Sequence, residues 1–128
     1  MEDAVCRKLI MEARKAQRHA YAPYSKFTVG AAVLAEDGAI YTGCNVENAS
    51  YGLSMCAERN AIFQAAACGC RSLRAIAIAG DSDGYTAPCG ACRQVMAEFH
   101  TGEVIMVKPD DTYVVVPLKE LLPYTFEL

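Results

Sequence analysis

Residues 54–80 read SMCAERNAIFQAAACGCRSLRAIAIAG, and residues 88–108 read PCGACRQVMAEFHTGEVIMVK. Each stretch predicts a helix, over about 55–67 and 88–99, followed by an apolar strand, at 73–80 and 104–108. Ser54 is the expected N-cap of the first helix, and Gly69 and Gly102 are the expected stops. Strand–helix–strand units in succession normally form parallel crossovers, so this part of the chain predicts an α/β fold.

The flanking segments complete the pattern. Residues 3–20 predict an amphipathic helix, and strands at 28–35 and 39–45 are joined by the hairpin signal Asp37-Gly38. A strand at 113–117 follows the turn at 109–111, and a short helix at 118–122 ends before Pro123. We expect a single domain spanning residues 1–128, with a mixed sheet of five strands and helices packed on its faces.

Composition narrows the class of protein. The chain has 128 residues, of which 53% are hydrophobic and 21% charged, and its net charge is −3. An acidic total does not predict a basic surface for nucleic acid, and no apolar run approaches the ~18 residues of a membrane span. The start, Met1-Glu2-Asp3, is unlike a signal peptide. We therefore expect a cytoplasmic protein that acts on neither nucleic acid nor membrane.

Cysteine is the unusual residue of this chain. An odd count without a secretion signal argues against a disulfide framework. The pair Cys89 and Cys92, taken alone, fits half of a zinc site, a redox dithiol or two buried thiols. The seven cysteines are Cys6, Cys44, Cys56, Cys68, Cys70, Cys89 and Cys92.

Cys56 favours the zinc interpretation of that pair. Parallel crossovers bring helix N-termini to the edge beyond the carboxyl ends of the strands, where ligand sites of α/β sheets lie. Cys56 is therefore expected near Cys89 and Cys92. Three thiolates around zinc leave one tetrahedral position open, which is typical of a catalytic site.

Charged residues accompany the three thiols. Glu58 could act as a base on metal-bound water, although it could equally be an acidic residue that complements a helix N-terminus. Arg59 and Arg93 each follow a cysteine and could donate hydrogen bonds to sulfur and offset its charge. Their alternative role is that of ordinary surface residues.

Three blocks of the sequence form a recognisable pattern. They are Tyr21-Ala22-Pro23-Tyr24-Ser25-Lys26-Phe27-Thr28-Val29-Gly30-Ala31-Ala32, Gly43-Cys44-Asn45-Val46-Glu47-Asn48, and Cys56-Ala57-Glu58-Arg59 together with Pro88-Cys89-Gly90-Ala91-Cys92-Arg93-Gln94. In this order and at these separations, the blocks resemble those of the cytidine deaminases of pyrimidine salvage, in their small homotetrameric, three-cysteine zinc form. The resemblance extends from about Ala20 to Phe126 and implies a three-layer α/β/α fold with a mixed five-stranded sheet.

The resemblance implies hydrolytic deamination of cytidine and deoxycytidine to uridine and deoxyuridine, with release of ammonia. It implies one zinc ion per subunit and a homotetramer whose neighbouring subunits complete each active site. The implied roles are zinc ligation by Cys56, Cys89 and Cys92, proton transfer by Glu58, thiolate charge compensation by Arg59, ribose binding by Asn45 and Glu47, base packing by Phe27, a backbone contact to the ring carbonyl at Ala57, and intersubunit contacts by Ala49, Tyr51 and Phe126.

Other interpretations remain open for these residues. A related zinc deaminase could act on another nucleoside analogue or on a polynucleotide, and a non-catalytic zinc module is a further alternative. Asn45 and Glu47 could be loop-capping residues, and Phe126 could be a minor packing contact. Neither His19 nor His100 lies in a metal-binding pattern, so a fourth zinc ligand is hard to nominate from the sequence. Ala87 and Tyr124 depart from the family, which more often has Ser and a smaller residue there.

Overall fold

Four helices and five strands make up the computed structural model, which describes residues 1–128. A short 3-10 turn lies at Tyr51–Leu53. No helix combines the length and the apolar character needed to cross a membrane. In chain order the elements are α1 (Asp3–Gln17), β1 (Val29–Ala35), β2 (Ile40–Cys44), α2 (Ala57–Ala67), β3 (Leu73–Gly80), α3 (Gly90–Glu98), β4 (Glu103–Val107), β5 (Tyr113–Pro117) and α4 (Leu118–Leu121).

The five strands form one mixed sheet in the order β2-β1-β3-β4-β5. Strands β3 and β4 pair in parallel, whereas β1 is antiparallel to both β2 and β3, and β5 is antiparallel to β4. Strands β2, β3 and β4 consequently run in one direction, although β1 separates β2 from β3. Helices α2 and α3 therefore both begin at the same edge of the sheet, and the predicted mixed five-stranded sheet is confirmed.

Helices cover both faces of the sheet. Because side chains alternate along a strand, Ala31 and Val33 of β1 face α2 and α3, while Ala32 and Leu34 face α1. Each face has its own buried apolar cluster, of 14 residues on the α2 side and 11 on the α1 side. The three-layer α/β/α architecture is thereby confirmed.

Glycine in the strands lets two helices approach the sheet closely. A Cβ atom at Gly43 of β2 would lie 2.7 Å from the carbonyl oxygen of Ala57, in the first turn of α2. A Cβ atom at Gly30 of β1 would collide with the carbonyl oxygen of Ala13 in α1. The absence of a side chain at Gly43 thus decides how near the start of α2 lies to the sheet.

The start of α2 differs from the prediction. Its N-cap is Cys56, in an extended conformation, and not Ser54. The Ser54 hydroxyl instead accepts the backbone N–H of Asn48 at 3.1 Å, which closes the preceding loop. Similarly, α3 begins at Gly90 with Cys89 as its N-cap. Both helix starts lie two residues later than expected, and each places a thiol at the cap.

Candidate active site

Three thiols meet at the edge of the sheet where α2 and α3 begin. Cys56 is the N-cap of α2, Cys89 is the N-cap of α3, and Cys92 lies in the first turn of α3. Their Sγ atoms lie within 4.8 Å of one another, and the Cys56 and Cys89 sulfurs are 3.9 Å apart. Neither histidine belongs to this cluster. Residues separated by 33 positions are therefore brought together by the common direction of β2 and β3.

The cluster is suited chemically to a zinc ion. Hydrogen bonding from Cys92, supported by Arg59, lowers the pKa of Cys56 to about 5, whereas the contact with Cys56 raises the pKa of Cys92 well above its usual value. Adjacent sulfur atoms resist carrying negative charge together unless a cation lies among them. Three thiolate donors near two helix N-termini form a donor set that zinc prefers.

The two candidate arginines behave differently. Arg59 donates from Nη2 to the Cys56 sulfur at 3.3 Å, as the sequence suggested. The expectation for Arg93 is wrong, because its guanidinium donates to the carbonyl oxygens of Pro88 and Leu121, each at 2.9 Å. Arg93 thereby joins the turn before Cys89 to helix α4.

Glu58 is the buried carboxyl group of the site. It is the second residue of α2 and is only 5% exposed. Burial raises the pKa of Glu58 to about 7. A carboxyl group with such a pKa can both accept and donate a proton near neutral pH, which is the requirement for a general acid–base group.

A shallow pocket of about 350 Å³ lies beside Glu47, and it is lined by Tyr24, Ser25, Glu47, Tyr51 and Ser54. One carboxylate oxygen of Glu47 accepts the backbone N–H groups of Tyr24 and Ser25, at 3.0 and 3.1 Å. The other oxygen accepts the Ser25 hydroxyl. That hydroxyl lowers the pKa of Glu47, so the pocket contains a firmly held, ionised carboxylate.

Asn45 secures the start of β1. Its Oδ1 atom accepts the N–H of Val29 and its Nδ2 atom donates to the carbonyl oxygen of Phe27, both at 2.8 Å. Asn45 therefore has the loop-capping role that the sequence left open as an alternative to ribose binding. Each polar atom of the amide keeps one further hydrogen-bonding position, so the residue retains capacity for a ligand. Phe27 is 39% exposed.

A family model described as "Cytidine and deoxycytidylate deaminase zinc-binding region" matches residues 4–108. The chain belongs to this deaminase family. A cytidine deaminase of Sporosarcina psychrophila is 58% identical over 97 residues, which are 76% of this chain and 71% of that protein. A cytidine deaminase of Mycobacterium tuberculosis is 42% identical, with 100% of this chain and 94% of that protein aligned.

Solved structures of the family share the fold. The crystal structure of cytidine deaminase from Burkholderia pseudomallei superposes with a TM-score of 0.90 at 48% identity. The match covers 98% of this chain and 100% of that one. The family is zinc-binding, and the three-cysteine cluster of this chain is the group that could hold the ion.

The remaining residues suggested by the family resemblance occupy varied positions. Ala57 is fully buried as the first residue of α2, where a backbone N–H has no acceptor within the helix. Tyr51 is 75% exposed and stacks edge-on against Tyr24. Ala49 and Phe126 are exposed and do not line the pocket at Glu47. Within one chain, Ala49 and Phe126 thus do not contribute to that pocket.

Ser25 is a site residue that the sequence reasoning missed. Besides donating to Glu47, its Oγ atom accepts the backbone N–H of Phe27 at 3.0 Å. A serine two residues before an N–H group is typical of a side-chain-to-backbone turn, so a signal was available in the motif Tyr24-Ser25-Lys26-Phe27.

Proposed function

We propose that this chain is a cytidine deaminase, a hydrolase that acts on the C–N bond of a cyclic amidine. It converts cytidine and deoxycytidine to uridine and deoxyuridine with release of ammonia, as in pyrimidine salvage. The observation that carries the proposal is the position of Glu58, a buried carboxyl with a pKa of about 7 beside three clustered thiols. The names of relatives 42–58% identical support the same substrate class.

Cys56, Cys89 and Cys92 would hold one zinc ion per subunit. When bound, zinc lowers the pKa of a water molecule toward neutrality and so supplies a nucleophile at physiological pH. Arg59 holds its positive charge against the Cys56 sulfur. This contact stabilises the ionised form of the thiol, which is the form that binds metal.

Glu58 moves the protons of the reaction. It accepts a proton from the attacking water and delivers it to ring nitrogen 3. It then takes the second proton from the hydroxyl group added at carbon 4 and passes it to the amine, which leaves as ammonia while the carbonyl group forms. The walls around Glu58 exclude water, since only 5% of the residue is exposed. One carboxyl group can serve both directions because its pKa lies near neutral pH.

Four residues would bind the nucleoside. Asn45 and Glu47 offer an amide and a carboxylate to the ribose hydroxyls. Free cytosine has no ribose, so its binding would leave these two side chains without hydrogen-bond partners from the ligand. Phe27 offers an exposed ring to the face of the pyrimidine, and the backbone N–H at Ala57 offers a donor to the ring carbonyl. The ionised state of Glu47 suits it to accept hydrogen bonds from hydroxyl groups.

The proposal extends to a homotetramer in which neighbouring subunits complete each site. Tyr51, two residues after Ala49 in the same loop, is 75% exposed, and Phe126 is 70% exposed. Exposed aromatic side chains are suited to contact with another copy of the chain. The single sheet supports one catalytic domain over residues 1–128. Seven free thiols favour a reducing, cytoplasmic compartment.

The test is ammonia release from cytidine, with zinc content measured on the same sample. We expect turnover that is abolished by a strong chelator and restored by zinc. A cytidine-containing oligonucleotide and free cytosine should give little product. Turnover of the oligonucleotide in preference to the nucleoside would favour a polynucleotide enzyme, and zinc-loaded protein without ammonia release would favour a non-catalytic zinc module.

A further inference from the structure

The main chain of Phe27 is held at both of its polar groups by residues of the proposed sugar site. Its N–H donates to the Oγ atom of Ser25 at 3.0 Å, and its carbonyl oxygen accepts the amide of Asn45 at 2.8 Å. Asn45 therefore contacts Phe27 directly. Glu47, the other residue proposed to bind ribose, has no direct hydrogen bond to Phe27 and is connected to it through one bridging group.

The bridging group is the hydroxyl of Ser25. It donates to Oε2 of Glu47 while it accepts the N–H of Phe27, so a single oxygen atom connects the two residues. The backbone N–H of Ser25 also donates to Oε1 of Glu47 at 3.1 Å. Ser25 thus holds both carboxylate oxygens, through its side chain and its main chain.

The segment between these contacts has an uncommon backbone conformation. Lys26, which separates Ser25 from Phe27, has a φ of 63°, in the left-handed region that residues with a side chain seldom occupy. Its N–H donates to the carbonyl oxygen of Ala22 at 3.0 Å, which closes a turn. A conformation of this kind persists only where surrounding contacts maintain it, and the two bonds of the Ser25 hydroxyl flank it directly.

We propose that Ser25 is a positioning residue that links sugar recognition at Glu47 to base packing at Phe27. The inference rests on the proposed function, because it takes Glu47 and Phe27 as residues that touch the nucleoside. Ser25 itself acts through them. Removing its hydroxyl would break the connection between the Glu47 carboxylate and the main chain of Phe27, although Oε1 of Glu47 and the carbonyl oxygen of Phe27 keep their other hydrogen bonds. The two residues would then hold their relative positions less firmly, which weakens nucleoside binding more than it slows the chemical step.

A double-mutant cycle between Ser25→Ala and Glu47→Ala tests the proposal, with KM and kcat for cytidine measured in all four proteins. We expect Ser25→Ala to raise KM roughly tenfold, as for a lost hydrogen bond to a charged group, and to change kcat by less than about twofold. In the Glu47→Ala background, Ser25→Ala should raise KM by less than about twofold, because its principal partner is already absent.

The control is Thr112→Val. Thr112 also donates a hydroxyl to a carboxylate, that of Asp110, at 2.6 Å in the exposed turn between β4 and β5. We expect it to leave KM and kcat unchanged, and the unfolding midpoint and zinc content should match wild type in every variant. An unchanged KM in Ser25→Ala, or an equal effect with and without Glu47, would overturn the linkage. Failure of wild-type protein to release ammonia, or a normal KM in Glu47→Ala, would instead refute the proposed function or its ribose site.

Discussion

Replacing Gly43 with alanine should damage the metal centre from a distance. Gly43 lies in β2, thirteen residues before Cys56, and contacts the first turns of α2. A Cβ atom there would lie 2.7 Å from the carbonyl oxygen of Ala57 and 2.9 Å from the carbonyl carbon of Asn60. Both are backbone atoms of α2, so the helix cannot relieve the clash by rotating a side chain.

The size of the effect follows from these distances. Carbon atoms in contact keep ~3.5 Å between them, so α2 must recede from the sheet by about half an ångström or more. Zinc–ligand distances tolerate a change of only about 0.2 Å. Since Cys56 caps α2, its sulfur moves with the helix relative to Cys89 and Cys92. We expect zinc affinity to fall at least roughly tenfold, and overpacking to cost about 1–3 kcal/mol of stability.

Competition with a chromogenic chelator measures the zinc affinity, and thermal unfolding measures the stability, with an expected fall in Tm of roughly 5–10 °C. Gly90→Ala is the matched control. Gly90 lies between Cys89 and Cys92, yet a Cβ atom there meets nothing within 4 Å. If Gly43→Ala retained zinc as well as Gly90→Ala does, the argument that this close approach positions Cys56 would be refuted.

Three further substitutions separate the roles of the site. Glu58→Gln should lower kcat by at least ~10³-fold with zinc content intact, and near-normal turnover would contradict proton transfer by Glu58. Arg59→Gln should make zinc roughly tenfold easier to extract by chelator, because the pKa of Cys56 rises without the cation; an unchanged affinity would contradict charge compensation. Glu47→Ala should raise KM for cytidine roughly tenfold or more with a smaller change in kcat, and an unchanged KM would exclude a ribose role.

Much of the fold was predictable because its signals are periodic and local. Apolar strands that follow helices in 54–108, and Asp37-Gly38 between two strands, predicted the mixed sheet and the hairpin. The order of the strands was harder to predict from the sequence. The position of β1 between β2 and β3 depends on long-range pairing, which leaves no local pattern. The start of α2 was misplaced because Ser54 was preferred as the cap, whereas Cys56 occupies that position. The start of α3 was placed at Pro88, whereas Cys89 is its cap.

The types of chemical group in the candidate site were predictable from the sequence, whereas their hydrogen-bond partners were less so. The spacing of the three cysteines and Glu58 implies a metal and an acid–base group, and the structure brings these side chains to one edge. Adjacency in sequence misled at Arg93, whose side chain follows α3 away from the sulfurs toward Leu121. The direction of a side chain depends on the angular position of its residue around the helix axis. Neighbouring residues in the sequence therefore point in different directions, and a position next to a cysteine does not predict a contact with its sulfur.

The contacts of Arg93 bear on which residue can offset the negative charge of the metal centre. Three thiolates around a divalent ion would carry a formal charge of −1, which a nearby cation would offset. Arg93 directs its hydrogen bonds to carbonyl oxygens, whereas Arg59 contacts a sulfur atom. We therefore infer that charge compensation would depend on Arg59, which follows Cys56 and Glu58 at the start of α2. One helix start thus carries the proposed zinc ligand Cys56, the proposed acid–base group Glu58 and the proposed balancing charge of Arg59, so we expect a small displacement of α2 to disturb all three together.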